Sequence, residues 1–368
     1  MAAGSFASLR ENVKYYQENN YAQLIRTIDL KNNFTNSDFV YVDEVAYDFL
    51  WRVQLKEPNI VLPNIGANIG EKYYVKPQDL PKNKNVLGPN AILLRSKCND
   101  THFVYFRLST SSYDNEMKKL VGASGQPKFN KTDLKKVSLF MPSLIEQKRI
   151  AYFLALLEER IATQNKIIED LKKLKSAIIE KLYSDIQGKE YSYRQLFEVV
   201  NERNKQMEYS NILAASQEKG MVNRDDLNLD IQFERSNINT YKIVREGDYV
   251  IHLRSFQGGF AFSNKTGVCS PAYTILRPNA LLEYGYLSYY FMSYRFIKSL
   301  IIVTYGIRDG RSISVEEWLN LKISIPSKEH QLHILKVLRS FDWKIENEEA
   351  YATHLSNQKQ YLLRQMFI

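Results

Sequence analysis

A long amphipathic helix constrains the fold of this chain more than any other feature. From 142 to 183 the sequence reads PSLIEQKRIAYFLALLEERIATQNKIIEDLKKLKSAIIEKLY. Apolar residues recur at alternating steps of four and three, which is the heptad spacing of a coiled-coil seam, while charged residues occupy the other faces. Pro142 begins the stretch, and Ser143 followed by Glu146 predicts a capping box at its start. A helix of this length must bury its seam against a partner.

The same helix recurs half a chain length later. A shift of 184 residues brings the stretch, without a gap, onto PSKEHQLHILKVLRSFDWKIENEEAYATHLSNQKQYLLRQMFI at 326–368. The two polar residues that interrupt the seam also recur, Gln164 as Glu348 and Lys175 as Lys359. Agreement in both phase and interruption indicates an internal duplication. We predict that the two helices pair with each other and that the polar positions fix their register and orientation.

The predicted seam has ten positions in each helix. In the central helix they are Ile150, Leu154, Leu157, Ile161, Gln164, Ile168, Leu171, Lys175, Ile178 and Leu182. In the C-terminal helix they are Ile334, Leu338, Phe341, Ile345, Glu348, Ala352, Leu355, Lys359, Leu362 and Met366. Eight of the ten positions in each helix are apolar, so each helix presents a nearly continuous strip for burial.

The segments between the helices differ from them in composition, being rich in tyrosine, phenylalanine and asparagine. YKIVREGDYVIHLRS (241–255) and GVCSPAYTILRP (267–278) are typical of strands, and YGYLSYYFMSYRFIKSLII (284–302) predicts one helix that covers the sheet. We therefore expect a mixed α/β or α+β fold with a pseudo-two-fold duplication. Its parts are a first domain at 1–141, a central spacer helix at 142–185, a second domain at 186–325 and a C-terminal spacer helix at 326–368.

Charge and composition narrow the classes of partner. Lysine plus arginine exceeds aspartate plus glutamate by 50 to 41, which favours a polyanionic partner such as nucleic acid. No run approaches the roughly 18 consecutive apolar residues of a membrane span, and the N-terminus lacks the pattern of a secretion signal. We expect a cytoplasmic protein with no membrane partner. Cys98 and Cys269 lack the close cysteine or histidine neighbours of a structural zinc site.

Catalytic motifs are absent from the sequence. It contains no phosphate-binding loop of the form GxxxxGK[ST], no GxSxG nucleophile elbow, no HExxH zinc motif and no Asn-Pro-Pro-Tyr type of amino-methyltransferase motif. His330 and His333 lie one helical turn apart but form no compact metal-binding pattern, which favours a surface role over a ligand role. We expect no catalytic residue, no cofactor and no metal in this chain.

The order domain, helix, domain, helix resembles the specificity subunit of type I restriction-modification systems over essentially all 368 residues. The segments that carry the resemblance are PSLIEQKRIAYFLALLEERI, IPSKEHQLHILKVLRSFDWKI, GQPKFNKTDLKKVSLFMPS and YKIVREGDYVIHLRSFQGG. The resemblance implies two target-recognition domains, separated by two long antiparallel coiled-coil helices, which each read one half of a bipartite DNA target. It also implies partners: double-stranded DNA, two modification (methyltransferase) subunits carrying S-adenosylmethionine, and restriction (translocase and nuclease) subunits using ATP with magnesium.

The N-terminus departs from the family pattern. The second half opens with the lead-in YSYRQLFEVVNERN (191–204), whereas the first half begins almost directly at Gly4. Either the first domain is completed by the C-terminal end of the chain, as a circular arrangement would allow, or the lead-in is absent.

Candidate DNA-binding residues follow from the chemistry of base and phosphate recognition. Arginine pairs with guanine, asparagine or glutamine pairs with adenine, and lysine binds phosphate. Loop residues of these types are Asn64, Asn68, Gln126 and Lys128 in the first domain and Arg254, Gln257, Arg308 and Arg311 in the second. For each of them, an ordinary surface position without a DNA contact is an equal alternative. Two other function classes also stay open: a structural coiled-coil adaptor that joins two protein-binding domains, and a self-sufficient nucleic-acid enzyme.

Overall fold

The computed structural model describes residues 11–35, 38–66, 68–120, 128–216, 219–227, 235–252, 259–305 and 312–367. The chain divides into two compact units, Met1–Gln164 with Tyr351–Ile368 as the first and Asn165–Ala350 as the second. Each unit therefore combines one globular part with one half of each long helix. Among the residues described, no helix has both the length and the apolar character needed to cross a membrane.

The secondary structure alternates short strands and short helices with two very long helices. The α-helices are α1 Thr27–Lys31, α2 Glu44–Phe49, α3 Thr101–Leu108, α4 Ser111–Leu120, α5 Lys131–Leu134, α6 Leu144–Ser184, α7 Tyr193–Leu196, α8 Tyr286–Tyr290, α9 Tyr294–Ser299, α10 Val315–Asn320 and α11 Lys328–Met366. Short 3-10 turns occupy Trp51–Val53, Pro77–Asp79, Arg224–Leu227, Arg235–Thr240 and Leu300–Val303.

The strands are short throughout. They are β1 Ala22–Ile25, β2 Val40–Val42, β3 Asn59–Pro63, β4 Tyr73–Val75, β5 Asn85–Leu87, β6 Ala91–Leu94, β7 Lys189–Ser192, β8 Phe197–Val200, β9 Leu213–Ser216, β10 Gly220–Asn223, β11 Lys242–Val244, β12 Tyr249–Ile251, β13 Phe260–Phe262, β14 Gly267–Cys269, β15 Thr274–Pro278, β16 Thr304–Tyr305, β17 Ser312–Ile313 and β18 Lys322–Ile325.

The first unit is built on two three-stranded sheets. One has the order β2-β1-β5, in which β1 is antiparallel to β2 and parallel to β5; the other is antiparallel, with the order β4-β3-β6. All five residues of β3 are buried, which explains why its sequence is a continuous apolar run rather than an alternating one. Helix α3 covers this second sheet, since its Val104 and Leu108 belong to the same buried cluster as Ile60 and Ile92.

The second unit is built on a four-stranded antiparallel sheet of order β13-β12-β15-β8. The lead-in at 191–204 contributes to β7, α7 and β8, and β7 pairs with β18. The aromatic core of the second unit centres on the fully buried Trp318, whose ring stacks on Tyr193 with centroids 4.2 Å apart. The many aromatic residues between the two long helices thus include the side chains that pack this core.

The prediction of one helix over 284–302 is wrong. The segment forms α8, α9 and a 3-10 turn instead. Gly285 precedes α8 in a left-handed conformation with φ of 77°, which glycine adopts without steric cost. A new helix then begins after Ser293, whose hydroxyl accepts a hydrogen bond from the Phe296 N–H at 3.1 Å. This cap satisfies a free donor at a helix start, so it favours a break in the apolar run.

The central helix α6 begins as predicted. The Ser143 hydroxyl accepts from the Glu146 N–H at 3.4 Å, and the Glu146 carboxylate accepts from the Ser143 N–H at 3.2 Å. The predicted seam positions of both long helices are buried or half-buried, except Met366, whose side chain is 37% exposed. At this last turn Leu363 and Phe367 are buried instead, because they pack against Phe103 and Phe106 of α3.

Within each unit the two helix halves run antiparallel. In the first unit Lys359 lies 2.6 Å from the Glu158 carboxylate, and the Arg160 guanidinium lies 5.7 Å from the centre of the Tyr351 ring. Residue numbers therefore rise along α6 as they fall along α11, so the two helix halves point in opposite directions.

In the second unit two further ion pairs show that the two helix halves are also antiparallel. Lys172 lies 2.6 Å from the Glu349 carboxylate, and Lys175 pairs with Asp342. The order along the two helices is again reversed, so the antiparallel pairing predicted for the fold holds in both units.

The lysine interruptions of the seam, Lys175 and Lys359, have an explanation in these ion pairs. A shift of 184 residues carries Glu158 onto Asp342 and Lys175 onto Lys359, so the pairs Lys359–Glu158 and Lys175–Asp342 are one interaction made twice. The Tyr289 hydroxyl donates to the second Asp342 oxygen at 2.5 Å. A half-buried lysine at a seam position is tolerated here because a carboxylate compensates its charge.

Candidate DNA interface

The three described candidates of the first unit lie in one loop cluster at the end of β3. The Asn64 N–H donates to the Asn90 carbonyl at 3.1 Å, and its side-chain amide donates to the Phe129 carbonyl at 3.2 Å. The Phe129 N–H returns a bond to the Asn64 carbonyl at 3.1 Å, and Ile65 forms a bridge with Lys128. These contacts bring the loop 64–71 against the segment 128–129, although the two are far apart in sequence.

The loop 64–71 is held in place by its own polar contacts. Gly66 and Gly70 have φ angles of 92° and 95°, which side-chain-bearing residues rarely adopt. The side-chain oxygen of Asn68 accepts a hydrogen bond from the Lys31 ammonium at 3.0 Å. Lys31 also lies 2.9 Å from the Glu71 carboxylate. Lys31 is exposed and lies 37 positions from Asn68 in sequence, so its membership of this cluster could not be read from local motifs.

The segment around Lys128, which bridges to this loop, is rich in lysine. The segment 118–136 contains six lysines and one acidic residue, Asp133. We call these lysines the lysine face: Lys118, Lys119, Lys128, Lys131, Lys135 and Lys136. All are exposed except Lys131, which is half-buried. Sequence reasoning selected Lys128 alone, although the excess of lysine in this segment was visible in the sequence.

The carboxylates near the lysine face neutralise it only weakly. Lys119 lies 3.0 Å from Glu116, and Lys136 lies 3.2 Å from Asp133; each pair joins residues three positions apart at the surface. Exposed ion pairs of this kind contribute about 0–1 kcal/mol, so phosphate oxygens can replace these carboxylates at small cost. The corresponding segment of the second unit, 302–320, carries two arginines and three acidic residues, so this surface belongs to the first unit.

The remaining predicted contacts lie outside the described residues: Gln126, Arg254, Gln257, Arg308 and Arg311. Their flanks are described. The His252 N–H donates to the Gly259 carbonyl at 2.7 Å, and β12 pairs antiparallel with β13, so 253–258 connects the two strands of a hairpin. Antiparallel β16 and β17 bracket 306–311 in the same way.

The start of β12 is fixed by a buried carboxylate. Asp248, which is 2% exposed, accepts from the Arg277 guanidinium at 2.9 Å and from the Arg245 N–H at 2.9 Å. The hydrogen bonds that the Arg277 guanidinium donates to Asp248 raise the pKa of Arg277. At the other end of the strand, burial lowers the pKa of His252. The base of the hairpin is therefore tied together by the hydrogen bonds of Asp248.

The described residues include no group of three or more histidine, cysteine, aspartate or glutamate side chains placed to hold a metal ion. Cys269 is buried, and burial raises the pKa of its thiol to about 12, so the thiol stays protonated at neutral pH. Cys98 is exposed.

Comparison with known proteins identifies the family of this chain. The sequence profile described as the type I restriction modification DNA specificity domain matches residues 9–173 and again residues 188–355. The chain belongs to this family. The domain of the family occurs once in each half, in agreement with the duplication predicted from the 184-residue shift, and the resemblance stated from the sequence is confirmed.

Two relatives from Methanocaldococcus jannaschii are similar along most of their length. The provisionally named type I restriction enzyme MjaX specificity subunit is 24% identical over 349 residues, covering 88% of this chain and 80% of the relative. The type I restriction enzyme MjaVIII specificity subunit is 25% identical over 346 residues, covering 84% and 78%.

Solved structures share the fold. A chain from a study of complex assembly and conformational transition of the type I restriction-modification system matches with a TM-score of 0.59 and 13% identity, over 97% of this chain and 92% of that chain. The S subunit of a type I system from M. genitalium matches with a TM-score of 0.50 and 15% identity, over 85% and 83%. The predicted fold class of this specificity-domain family member is thereby confirmed.

Proposed function

We propose that this chain is the specificity subunit of a type I restriction-modification complex and reads a bipartite DNA target, with one half-site for each unit. The observation that carries the proposal is the double occurrence of the family's DNA specificity domain, which falls once in each half of a chain with two compact units. Two similar scaffolds with different loops suit two half-sites of different sequence, because loops on a rigid scaffold usually carry recognition.

The first unit offers the clearest division of labour for DNA binding. The lysine face supplies positive charge for phosphates, which gives affinity without sequence preference. The adjoining loop 64–71 supplies Asn68, an amide side chain of the type that reads adenine edges. Asn64 has a different role in this proposal, because its amide nitrogen is already bonded to the Phe129 carbonyl and fixes the loop base.

The partners belong to the proposal as well. Two modification subunits with S-adenosylmethionine would dock on the long helices, and restriction subunits with ATP and magnesium would join that core. In this division of labour the present chain supplies recognition and no catalytic group, cofactor or metal ligand. A cytoplasmic location follows from the DNA target.

The helix pair should be required for partner docking. Ile345 of α11 is 7% exposed and Ile161 of α6 is half-buried, so a lysine at both positions would place unpaired charge in the seam. We expect the double change to abolish the complex with the modification subunit, as judged by gel filtration. A complex of normal size would count against a docking role for the pair.

The DNA-reading proposal and its two alternatives, the coiled-coil adaptor and the self-sufficient enzyme, predict different results with DNA. With its modification subunit, the chain should enrich a split sequence from a pool of random DNA duplexes; enrichment without any shared sequence would contradict the proposal. The adaptor alternative is not favoured by the family match and predicts no DNA enrichment. Methylation or cleavage by the purified chain alone would favour the self-sufficient enzyme.

A further inference from the structure

A buried glutamine stands at the equivalent position near the start of each long helix. Gln147 of α6 and Gln331 of α11 are 2% and 1% exposed and are related by the 184-residue shift. Burial of a primary amide is costly unless its donors and acceptor are bonded, and in both cases they are.

In the first unit Gln147 ties the globular part to the helix. Its side-chain nitrogen donates to the Pro142 carbonyl at 2.8 Å and to the Asn99 side-chain oxygen at 2.9 Å. Its side-chain oxygen accepts from the Asp100 N–H at 2.9 Å. Asp100 is itself the N-cap of α3, since its carboxylate accepts from the Phe103 N–H at 2.8 Å. One side chain therefore holds the start of α6 and the start of α3 together.

In the second unit Gln331 makes a similar set of three bonds, in which a backbone carbonyl takes the place of the Asn99 side chain. Its nitrogen donates to the Pro326 carbonyl at 3.1 Å and to the Leu281 carbonyl at 3.0 Å, and its oxygen accepts from the Glu283 N–H at 2.8 Å. Lys328 adds an ion pair with Glu283 at 2.9 Å. The segment held in this way leads directly into α8, as the segment held by Gln147 leads into α3.

The helix that follows each held segment packs against the strand that precedes a candidate DNA-reading loop. In the first unit α3 packs on β3 through Val104 and Ile60, and the loop 64–71 follows β3. In the second unit the Leu287 N–H of α8 donates to the buried Tyr249 hydroxyl of β12 at 3.2 Å, and the loop 253–258 follows β12. A short chain of contacts therefore runs from each glutamine to the strand that precedes one candidate loop.

We propose that Gln147 and Gln331 are positioning residues for base reading, each of which fixes the globular part of its own unit on the helix pair and acts on its own half-site alone. The inference rests on the proposed function. Recognition side chains must be held within about 0.5 Å of their working geometry, so a joint that loses three hydrogen bonds should misplace a bidentate base contact.

The test uses the full chain expressed with its modification subunit. Methylated adenines in cellular DNA are mapped by single-molecule sequencing for the natural chain, Gln147→Met and Gln331→Met, because methionine keeps the length of glutamine without its hydrogen bonds. We expect each variant to raise methylation at sites mismatched in one half by about tenfold, with the two variants affecting opposite halves. Gln358→Met, at an exposed position of α11, should match the natural chain.

A purely structural role would lower the yield of complex but leave the discrimination of both halves unchanged, and that result would overturn the inference. Equal relaxation of both halves by either variant would overturn it as well. Should Gln147→Met fail to fold, Asn99→Leu removes one of the same bonds from the loop side, while Asn99→Asp retains the acceptor and should restore discrimination. Absence of any split motif with the natural chain would instead refute the proposed function.

Discussion

The ion pair between Lys359 and Glu158 makes a quantitative prediction about helix pairing. The two charged atoms lie 2.6 Å apart, and the side chains are 21% and 30% exposed. We consider the charge reversals Lys359→Glu and Glu158→Lys and the double variant that exchanges the two. Each single change places like charges in contact within the seam, whereas the exchange restores an opposite pair.

The magnitude follows from the geometry. At this distance Coulomb's law with an effective dielectric constant of about 20 gives about 6 kcal/mol, most of which is offset by desolvation of the two ions and by ordering of the side chains. A charge-assisted hydrogen bond contributes about 1.5–3 kcal/mol net, and partial exposure reduces this to about 1–2 kcal/mol. Since reversal also adds repulsion, each single change should destabilise the first unit by about 2–3 kcal/mol, or roughly 4–12 °C in Tm.

The assay is thermal unfolding of the full chain by circular dichroism, analysed as a double-mutant cycle. We expect a coupling free energy of at least about 1 kcal/mol, and the same for the duplicated pair Lys175 and Asp342. Reversal of Lys173, which makes an exposed i,i+4 pair with Glu169, should cost less than about 0.5 kcal/mol. Additivity of the single changes within about 0.5 kcal/mol would refute the role of the pair in fixing the register.

Three further predictions concern DNA recognition and pH. Arg254→Ala with Arg308→Ala should weaken recognition of one half-site by about 1–3 kcal/mol for each lost bidentate contact, and unchanged preference at both half-sites in a binding assay would contradict it. Lys128→Ala with Lys135→Ala should weaken binding to all duplexes alike and reduce the slope of log K against log salt by about 2; an unchanged slope would remove these lysines from the interface. Burial lowers the pKa of His102, so the stability that this residue contributes is present above its unfolded pKa of about 6.5 and is lost as the pH falls below it. His102→Gln should therefore flatten the fall of Tm between about pH 7 and pH 5, and an equal fall in both proteins would count against this assignment.

The fold class could be predicted because its strongest signal is periodic and occurs twice. The heptad spacing and the 184-residue shift indicated two equivalent helices before any contact was known. The partners of the seam lysines were missed, because Glu158 and Asp342 lie beside the predicted seam rather than in it. The 184-residue shift nevertheless indicated these partners, because it relates Glu158 to Asp342 and both positions are acidic.

The break in 284–302 could not be read from periodicity. The segment is apolar on nearly every side, so its pattern does not distinguish one long helix from several short ones. The ends are set by Gly285 and by the cap at Ser293, which are local features within an aromatic run.

The candidate interface was harder to predict than the helices because its loops differ between the two halves. The duplication therefore gives no second copy against which to test a loop residue. Lys31 reaches the loop 64–71 from a distant segment, and Asn64 proves to bond the Phe129 carbonyl. Residue type and loop position select candidate loops, but they do not give the role of each side chain, and the DNA contacts stay predictions.

The most direct test of the central claim is single-molecule sequencing of methylated adenines in cells that express this chain with its modification subunit, compared with cells that lack this chain. The account predicts a split methylated motif that appears only when the chain is present, with both half-sites and the spacer visible in the same experiment. A complex that forms normally but leaves no such motif would contradict the claim that the chain reads DNA sequence.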